Sequence, residues 1–525
     1  MPIRDWFLTA QERANPASEL PVWTTGNLAE PLIHGAAYFD RLVSEVEALQ
    51  EGDHLFFTDW RGDPDERMRP DGPTVAQLFS RAAQRGVVVK GLLWRSHLDS
   101  LSFSEAENRS LSETICAAGG EVLLDQRVRR GGSHHQKLVV LRHSAAPERD
   151  VAFAGGIDLC HSRRDDAEHH GDPQAVGMSP RYGDTPPWHD VQLALRGPVV
   201  GALDTVFRER WTDPMPLDSE NPLAYLRDRL RGSDPLPEKP ADPPPCGPHR
   251  IQVLRTYPAV RPRYSFAPDG ERTVARGYTK AVRRARRLIY LEDQYLWSTE
   301  VADLFARALR DNPDLHLVAV VPRHPDVDGR FALPPNMVGR EQALSLCGRA
   351  APGRVHVFDV ENHAGDPVYV HAKVCVIDDA WASVGSDNFN RRSWTHDSEL
   401  SCAVLDDTRD ERAPLDPGGL GDGARLFARE LRLRLWREHL DRDPDGGSDD
   451  GLLDPASAVE TITASADALQ RWHDSGRVGP RPSGRLRPHR PERLPWYTRA
   501  WALPAYRVVY DPDGRPLRAR LAGTW

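Results

Sequence analysis

Two short stretches of this 525-residue chain carry residue types suited to phosphoryl transfer, and they share one plan. The first is His135-Gln136-Lys137, and the second is His371-Ala372-Lys373. A neutral imidazole can attack phosphorus, a protonated one can give a leaving oxygen its proton, and an ammonium can neutralise phosphodiester oxygens. The two pairs predict one active site built from two similar halves of the chain.

Lysine usage favours a functional role for both pairs over ordinary surface or core histidines. Only five of the 68 basic residues are lysine, and the rest are arginine. With 20 histidines in the chain, chance would give about 0.2 His-x-Lys pairs, and two occur. A compact ammonium and a planar guanidinium are not interchangeable, so the lysines that persist at both places indicate a requirement for lysine.

Each pair lies at the mouth of an apolar run, residues 138–141 in one case and 374–377 in the other. Short runs of this kind predict buried strands. Positions i and i+2 of a strand face the same way. We therefore expect the histidine and lysine of each pair to project side by side from one strand.

The residues downstream of both pairs resemble the phospholipase D superfamily. The second half matches the family pattern in full, at His371, Lys373, Asp378, Gly385, Ser386 and Asn388. The first half is similar to the phospholipase D proper branch, with His134-His135-Gln136-Lys137, Gly155-Gly156-Ile157-Asp158, Trp188-His189-Asp190 and Gly197-Pro198. The similarity runs from about residue 27 to about residue 440, and two positions depart from it. Arg142 stands where the family has aspartate, and Asp158 stands where the second half has Asn388.

The resemblance implies a ping-pong reaction without metal or cofactor, in which a phosphohistidine forms and water or an alcohol then releases the phosphatidyl group. We predict His135 as nucleophile and His371 as general acid and then base; the symmetry of the sequence leaves the reverse open. The predicted phosphate-binding residues are Lys137, Lys373, Asn388, Ser386 and Asp158. Asp190 and Glu399 occupy matching places and are expected to orient the two imidazoles, the alternative being that they are ordinary solvated carboxylates.

Alternating helical and strand-like segments predict an α/β protein. Helices are expected at residues 36–49, 75–85, 104–118, 199–211, 273–287, 301–310 and 424–439, with strands between them. The same order occurs twice. We expect two α/β/α sandwich halves with mixed sheets, related by a pseudo-twofold axis, with the active site between them. The predicted boundaries are 1–232 for the first half, 233–248 for a proline-rich linker, 249–440 for the second half and 441–525 for a C-terminal extension.

Residues 161–187 form a predicted long loop that lines or covers the site. His161, Asp165, Asp166, His169 and His170 in this loop are potential metal ligands, but they lack a tight ligand spacing, and we expect no metal there. In the extension, residues 455–472 read as a helix and 506–510 as a strand, and the aromatic residues after position 495 are expected to pack on the core rather than touch lipid.

Net charge, apolar runs and cysteine content indicate the binding partners and the compartment of the protein. The net charge of −9 disfavours a general nucleic-acid binder. No run of eighteen apolar residues and no leader pattern is present, which disfavours an integral membrane enzyme. Six scattered cysteines are typical of free thiols in a reducing compartment. We expect a cytoplasmic monomer that acts on phospholipid and contacts membranes transiently at their periphery.

Two other functions stay open. One is a different enzyme of the same chemistry, either a nuclease or other phosphodiesterase or a phosphatidyltransferase of the cardiolipin synthase kind. The other is a non-catalytic lipid-binding or scaffold relative. The acidic balance disfavours the nuclease, and the intact histidine–lysine pairs disfavour the non-catalytic relative.

Overall fold

Two mixed sheets of equivalent strand order form the body of the protein. The computed structural model describes residues 3–96, 105–217, 233–327, 329, 331–447 and 449–525. Within these residues, the strands of the first half are β1 (Thr24–Ile33), β2 (His54–Asp59), β3 (Val88–Trp94), β4 (Glu121–Asp125), β5 (Leu138–Arg142), β6 (Val151–Gly155), β7 (Trp188–His189) and β8 (Val191–Arg196). The helices there are α1 (Ile3–Trp6), α2 (Ala10–Arg13), α3 (Gly35–Glu47), α4 (Val75–Gln84), α5 (Glu105–Ala117) and α6 (Val199–Trp211).

The second half repeats this succession. Its strands are β9 (His249–Tyr257), β10 (Glu271–Arg272), β11 (Leu288–Asp293), β12 (His316–Val320), β13 (Val355–Glu361), β14 (Pro367–Val370), β15 (Lys373–Ile377), β16 (Trp381–Gly385) and β17 (Glu399–Asp406), and β18 (Leu486–Pro488) follows in the extension. The helices are α7 (Thr273–Arg284), α8 (Thr299–Asp311), α9 (Leu333–Ala350), α10 (Arg391–Thr395), α11 (Leu426–His439), α12 (Pro455–Asp474), α13 (Trp496–Ala505) and α14 (Leu517–Ala522), and a π-helix spans Tyr506–Tyr510.

Hydrogen-bond pairing gives both sheets the same order. The first runs β4-β3-β2-β5-β6-β8-β1, and the second runs β13-β12-β11-β15-β16-β17-β9. In each sheet the first three strands are parallel and the others antiparallel. The predicted α/β fold with two similar halves is confirmed. β1 also pairs with β9, so the sheets meet along one edge.

The central strands are buried on both faces, which explains why they read as continuous apolar runs in the sequence. Every residue of β2, β5 and β15 is buried. One core cluster joins the facing sides of the two sheets, with Phe56 and Val140 from the first half and Val374 from the second. Helices α6 and α11 pack within this shared cluster, whereas α3, α4 and α5 cover the other face of the first sheet and α7, α8 and α9 the other face of the second. Helix α4 begins at a Thr74 capping box.

Segments outside the repeats fasten the halves together. Leu8, near the N-terminus, packs in the core of the second half and exchanges two 2.9 Å backbone hydrogen bonds with the Gln252 side chain. The predicted linker has no regular structure, and it lies along α6, where the Pro237 carbonyl accepts a bond from Arg208. In the extension, β18 adds to the edge of the second sheet beside β13.

One expectation for the extension is wrong, and another holds only in part. Residues 506–510 form a π-helix rather than a strand, because strand propensity is expressed only against a neighbouring strand and this segment lies on the surface: Val508 is 73% exposed. The aromatic side chains only partly pack. Trp525 contacts Trp394 at a ring distance of 5.2 Å, whereas Trp496 is 80% exposed and Tyr497 62% exposed.

Over the described part of the chain, no helix combines the length and apolar character that a bilayer crossing requires.

Candidate active site

Both candidate histidines lie just before the strands rather than within them. At His135 the backbone leaves the first sheet, and its N–H donates to the Ser398 carbonyl of the second half at 2.9 Å. At His371 the N–H donates to the His189 carbonyl of the first half at 2.8 Å. The expectation that histidine and lysine share one strand is therefore wrong in detail, because each histidine pairs with the opposite half.

These exchanges are related by the pseudo-twofold. β7 pairs with β14, so that His189 lies opposite Val370. In the equivalent place, His134 forms a bridge with Ser398. Each residue named here directly precedes a candidate active-site residue, and the two crossings bring the site residues of both halves together.

Each imidazole takes its carboxylate from the other half. His135 Nδ1 lies 2.9 Å from Glu399 Oε2, and His371 Nδ1 lies 2.7 Å from Asp190 Oδ2. A carboxylate can only accept, so Nδ1 donates and the lone pair of each neutral ring is on Nε2. Asp190 and Glu399 are fully buried, which excludes the alternative that they are solvated surface groups.

The two lysines are buried beside their histidines. Lys137 Nζ lies 2.9 Å from Asp158 Oδ1, and Lys373 Nζ lies 3.4 Å from Gln294 Oε1 and contacts the His371 carbonyl. Burial lowers the pKa of Lys373 to about 8, although Asp190 opposes the shift. Lys373 is therefore a cation that is poorly compensated by protein groups, as an oxyanion site requires.

Charges of both halves act on one another across the site. Burial, and then the ammonium of Lys373, hold the pKa of His371 well below its usual range. Arg163 and Lys137 of the first half lower it further. The interaction between two charges weakens with distance. The cations of the first half, Arg163 and Lys137, therefore lie close enough to the imidazole of His371 to act on it.

The glycine turns support the carboxylates. Ser386 Oγ donates to Glu399 Oε2 at 2.5 Å and accepts from the Leu400 N–H at 3.0 Å. At the equivalent Gly156, a Cβ would lie 2.1 Å from Asp190 Oδ1, so this position has no room for a side chain. Asn388 is 3% exposed, and its Oδ1 accepts no hydrogen bond from the described residues.

Sequence reasoning missed a pair of aspartates that end the central strands. Asp59 Oδ2 accepts from the Leu159 N–H at 3.0 Å, and Asp293 Oδ1 accepts from the Phe389 N–H at 2.9 Å. Leu159 follows Asp158, and Phe389 follows Asn388, so the two bonds are equivalent. Alignment of the two repeats on their strands, rather than on the histidine motifs alone, would have found them.

Arg163 was also missed. Its guanidinium lies 4.0 Å over the Trp188 ring and 3.3 Å from Asp158 Oδ2. The Trp188 ring is in turn 5.0 Å from the His371 ring. The expectation that the long loop lines the site holds at Arg163, which the loop supplies.

Arg142 is the last residue of β5, Asp378 directly follows the last residue of β15, and both have structural partners. Asp378 accepts three backbone N–H bonds of 2.7–2.9 Å at the start of β11. Arg142 instead binds Asp150 at 2.6 Å and Asp204 at 2.8 Å. The departure at Arg142 therefore changes an anchor at the far end of the strand and leaves the imidazole end unaltered.

Comparison with known proteins agrees with this geometry. Residues 64–233 match the family model described as Phospholipase D, and residues 333–412 match the one described as Cardiolipin synthase, PLD-like domain. The chain thus carries phospholipase D superfamily domains in both of its halves. It is 22% identical to Phospholipase D alpha 4 of Arabidopsis thaliana over 77% of this chain and 66% of that protein. It is 24% identical to Phospholipase D A of Dictyostelium discoideum over 76% of this chain and 35% of that protein.

The chain spans less than two thirds of the length of those two relatives. Its fold is similar to that of phosphatidylserine synthase from Haemophilus influenzae Rd KW20, with a TM-score of 0.54 and 14% identity, covering 87% of this chain and 97% of the other.

Proposed function

We propose that this chain is a phospholipase D-type phosphodiesterase, which hydrolyses or transphosphatidylates glycerophospholipids through a phosphohistidine. The observation that carries the proposal is the crosswise pair of carboxylate–imidazole contacts, His135 with Glu399 and His371 with Asp190. Each leaves an Nε2 lone pair for chemistry, and buried ammonium groups lie beside both rings.

The proposed first step begins with attack of His135 Nε2 on phosphorus. The bond to the head-group oxygen breaks, and His371, protonated in the loaded site, gives that oxygen its proton. In the second step water or an alcohol attacks the phosphohistidine, His371 takes its proton, and the P–N bond breaks. The positive surroundings that lower the pKa of His371 favour this cycle, because a bound phosphodiester anion offsets them and allows the ring to be protonated.

Lys137, Lys373 and Asn388 are the groups that we propose to hold the phosphate oxygens. Asp158 and Ser386, which the sequence grouped with them, are better suited to positioning. Asp158 is itself an anion bonded to Lys137, and the Ser386 hydroxyl is committed to Glu399. They would hold the ammonium and the carboxylate in place.

A partly open pocket of about 40 Å³ adjoins the site. Gln294 and Tyr369 line it, and the Gln294 side chain also contacts Lys373. Helix α9 supplies part of the pocket lining, and α13 packs against α9. The exposed aromatic patch, defined as Trp496, Tyr497, Trp501 and Phe331, is therefore beside the pocket, and we propose that it contacts the bilayer when a lipid enters.

The test is incubation of the purified chain with phosphatidylcholine vesicles and excess ethanol. Phosphatidylethanol formation, absent in a His371→Asn variant, is expected. No lipid product, together with cleavage of single- or double-stranded nucleic acid, would favour the nuclease instead. Condensation of two phosphatidylglycerol molecules without release of a head group from phosphatidylcholine would favour the cardiolipin synthase kind. Vesicle binding without turnover of any substrate would favour a non-catalytic relative.

The assignment of roles has its own test. With the His371→Asn variant and a phosphatidyl-p-nitrophenol substrate, whose leaving group needs no proton, alkaline quenching should trap the phosphatidyl group on the peptide that contains His135, since the second step lacks its base. Label on residue 371 in a His135→Asn variant, with none on residue 135 in the first variant, would reverse the roles.

A further inference from the structure

Four side chains from four segments converge behind β7, outside the reacting groups. They are His34, just before α3; His169, in the long loop; His189, in β7; and Glu438, in α11. We call them the His3Glu cluster. One ligand atom from each lies within 4.8 Å of all the others. The three histidines are at most 4% exposed.

The imidazole nitrogens gather around one carboxylate. His34 Nε2 lies 2.7 Å from Glu438 Oε2, whereas His169 Nε2 and His189 Nδ1 lie 3.1 and 3.4 Å from Glu438 Oε1. Ligand atoms of a tetrahedral zinc ion are about 3.3 Å apart, since zinc–nitrogen bonds are about 2.0–2.1 Å long. The three histidine–Glu438 distances are close to this value, and the ligand atoms as a set lie within 4.8 Å of one another.

The opposite nitrogen of one ring has the partner that metal-bound histidines use. If His189 binds through Nδ1, its Nε2 is held by Glu292 Oε2 at 2.7 Å. A carboxylate in this position fixes the ring and makes the ligating nitrogen more basic. For His169, bound through Nε2, the carboxylate of Asp165 lies 3.6 Å from Nδ1, close to the ring but beyond hydrogen-bond distance.

Two further observations point to a ligand. His189 Nδ1 is buried and makes no hydrogen bond within the described residues, although it faces Glu438. The backbone of His34 has a φ of 69° and that of His169 a φ of 56°, a region that non-glycine residues rarely adopt. Strain at two of four cluster residues indicates that their side-chain positions matter.

The three rings lie close together around Glu438. The rings of His34, His169 and His189 are 4.8–5.7 Å apart between centres. A divalent cation would accept three nitrogen lone pairs and one carboxylate oxygen at once.

We propose that the His3Glu cluster binds one divalent transition-metal ion of the zinc class. Three imidazole nitrogens and a carboxylate oxygen suit Zn²⁺. All four positions are filled by the protein, so the ion is structural and not a source of activated water.

The His3Glu cluster is connected to the candidate active site through β7. Its histidines come from the first half and Glu438 from the second, so the ion joins the halves. The backbone carbonyl of His189 accepts a hydrogen bond from the His371 N–H at 2.8 Å, and His189 directly precedes Asp190. The ion would therefore fix the strand that presents Asp190 to His371. The proposal does not depend on the proposed function, because its test measures metal.

The experiment is elemental analysis of the full chain, expressed with zinc and dialysed against metal-free buffer. About one zinc per chain is expected, and His169→Ala should lose it. His170→Ala is the matched control, because His170 is the exposed neighbour in the same loop and should keep the ion. A chelator should lower the melting temperature of the wild type, with recovery on adding Zn²⁺.

A milder variant guards against misfolding. Glu292→Gln keeps the shape of the side chain but removes the charge that His189, His439 and Tyr290 contact, and it should weaken zinc binding about 10–100-fold. Replacement of zinc by Co²⁺ in the wild type should give the intense visible bands of a tetrahedral site. Wild-type protein that neither retains zinc nor binds Zn²⁺ or Co²⁺ on titration would overturn the proposal, as would equal loss of zinc in His170→Ala and His169→Ala.

Discussion

Glu399→Gln isolates the carboxylate that serves His135 while keeping the shape of its side chain. Glu399 is fully buried, with its Oε2 2.9 Å from His135 Nδ1 and 2.5 Å from Ser386 Oγ. The amide can still occupy this space, but it carries no charge and can present an N–H to Nδ1. The ring is then favoured in the tautomer whose Nε2 carries hydrogen, which cannot attack phosphorus.

The magnitude follows from the charge that His135 acquires. At an effective dielectric constant of about 20, unit charges about 4 Å apart attract by about 4 kcal/mol. Each loss of about 1.4 kcal/mol from the transition state lowers the rate tenfold. We expect kcat to fall about 10³-fold with KM nearly unchanged, because the carboxylate does not touch the phosphate.

The assay is initial-rate head-group release from phosphatidylcholine in mixed micelles across a range of lipid concentrations. Asp379→Asn is the matched control: Asp379 is buried and paired with Arg429 and Arg432, in the turn at the other end of β15. It should lower stability and leave kcat alone. If Glu399→Gln keeps kcat within about threefold of the wild type, or if the control loses as much, the orienting role is refuted.

Three other outcomes are expected. Burial lowers the pKa of Lys373 to about 8, so its charge is lost as pH rises through that value, and kcat/KM should decline above about pH 8. Lys373→Arg should have only a small residual activity, and that activity should stay level to higher pH. Arg142→Ala leaves two buried carboxylates without their cation and should lower the free energy of unfolding in urea by about 3–5 kcal/mol. The control Arg41→Ala, at a half-exposed ion pair, should lower it by less than about 1 kcal/mol. Trp496→Ala combined with Tyr497→Ala should weaken sedimentation with phospholipid vesicles about tenfold and leave turnover of a short-chain soluble lipid unchanged.

Strand positions could be read from the sequence because the central strands are buried on both faces. The run at residues 138–141 and its counterpart at 374–377 are apolar throughout, and the structure places β5 and β15 there. The helix predicted at residues 199–211 has those bounds in the structure. In each case a local pattern of apolar residues is enough, since burial acts on the segment itself.

The crosswise contacts could not be read in this way. Glu399 is 264 positions from His135, and nothing local states which imidazole it serves. The repeat made Asp190 and Glu399 equivalent, but it left open whether each acts within its own half or across the axis. Only the crossing of β7 with β14 decides between these.

The His3Glu cluster could not be predicted from the sequence for a related reason. Its members are far apart in the sequence, so no ligand spacing marks them. The sequence drew attention to His169 and to its neighbours in the loop, whereas the partners of His169 come from β7, from the residue before α3 and from α11. Long-range assembly of this kind depends on the packing of four segments and has no local signature.

The two carboxylate–imidazole pairs have the same plan, but one contains an aspartate and the other the longer glutamate. A fragment with a single repeat would contain the imidazole of one pair and the carboxylate of the other, and so neither pair in full. Two identical copies of such a fragment would have to associate to complete the pairs, and both pairs would then be the same. Joining the repeats in one polypeptide removes that restriction, and it lets two once-equal histidines diverge into separate tasks.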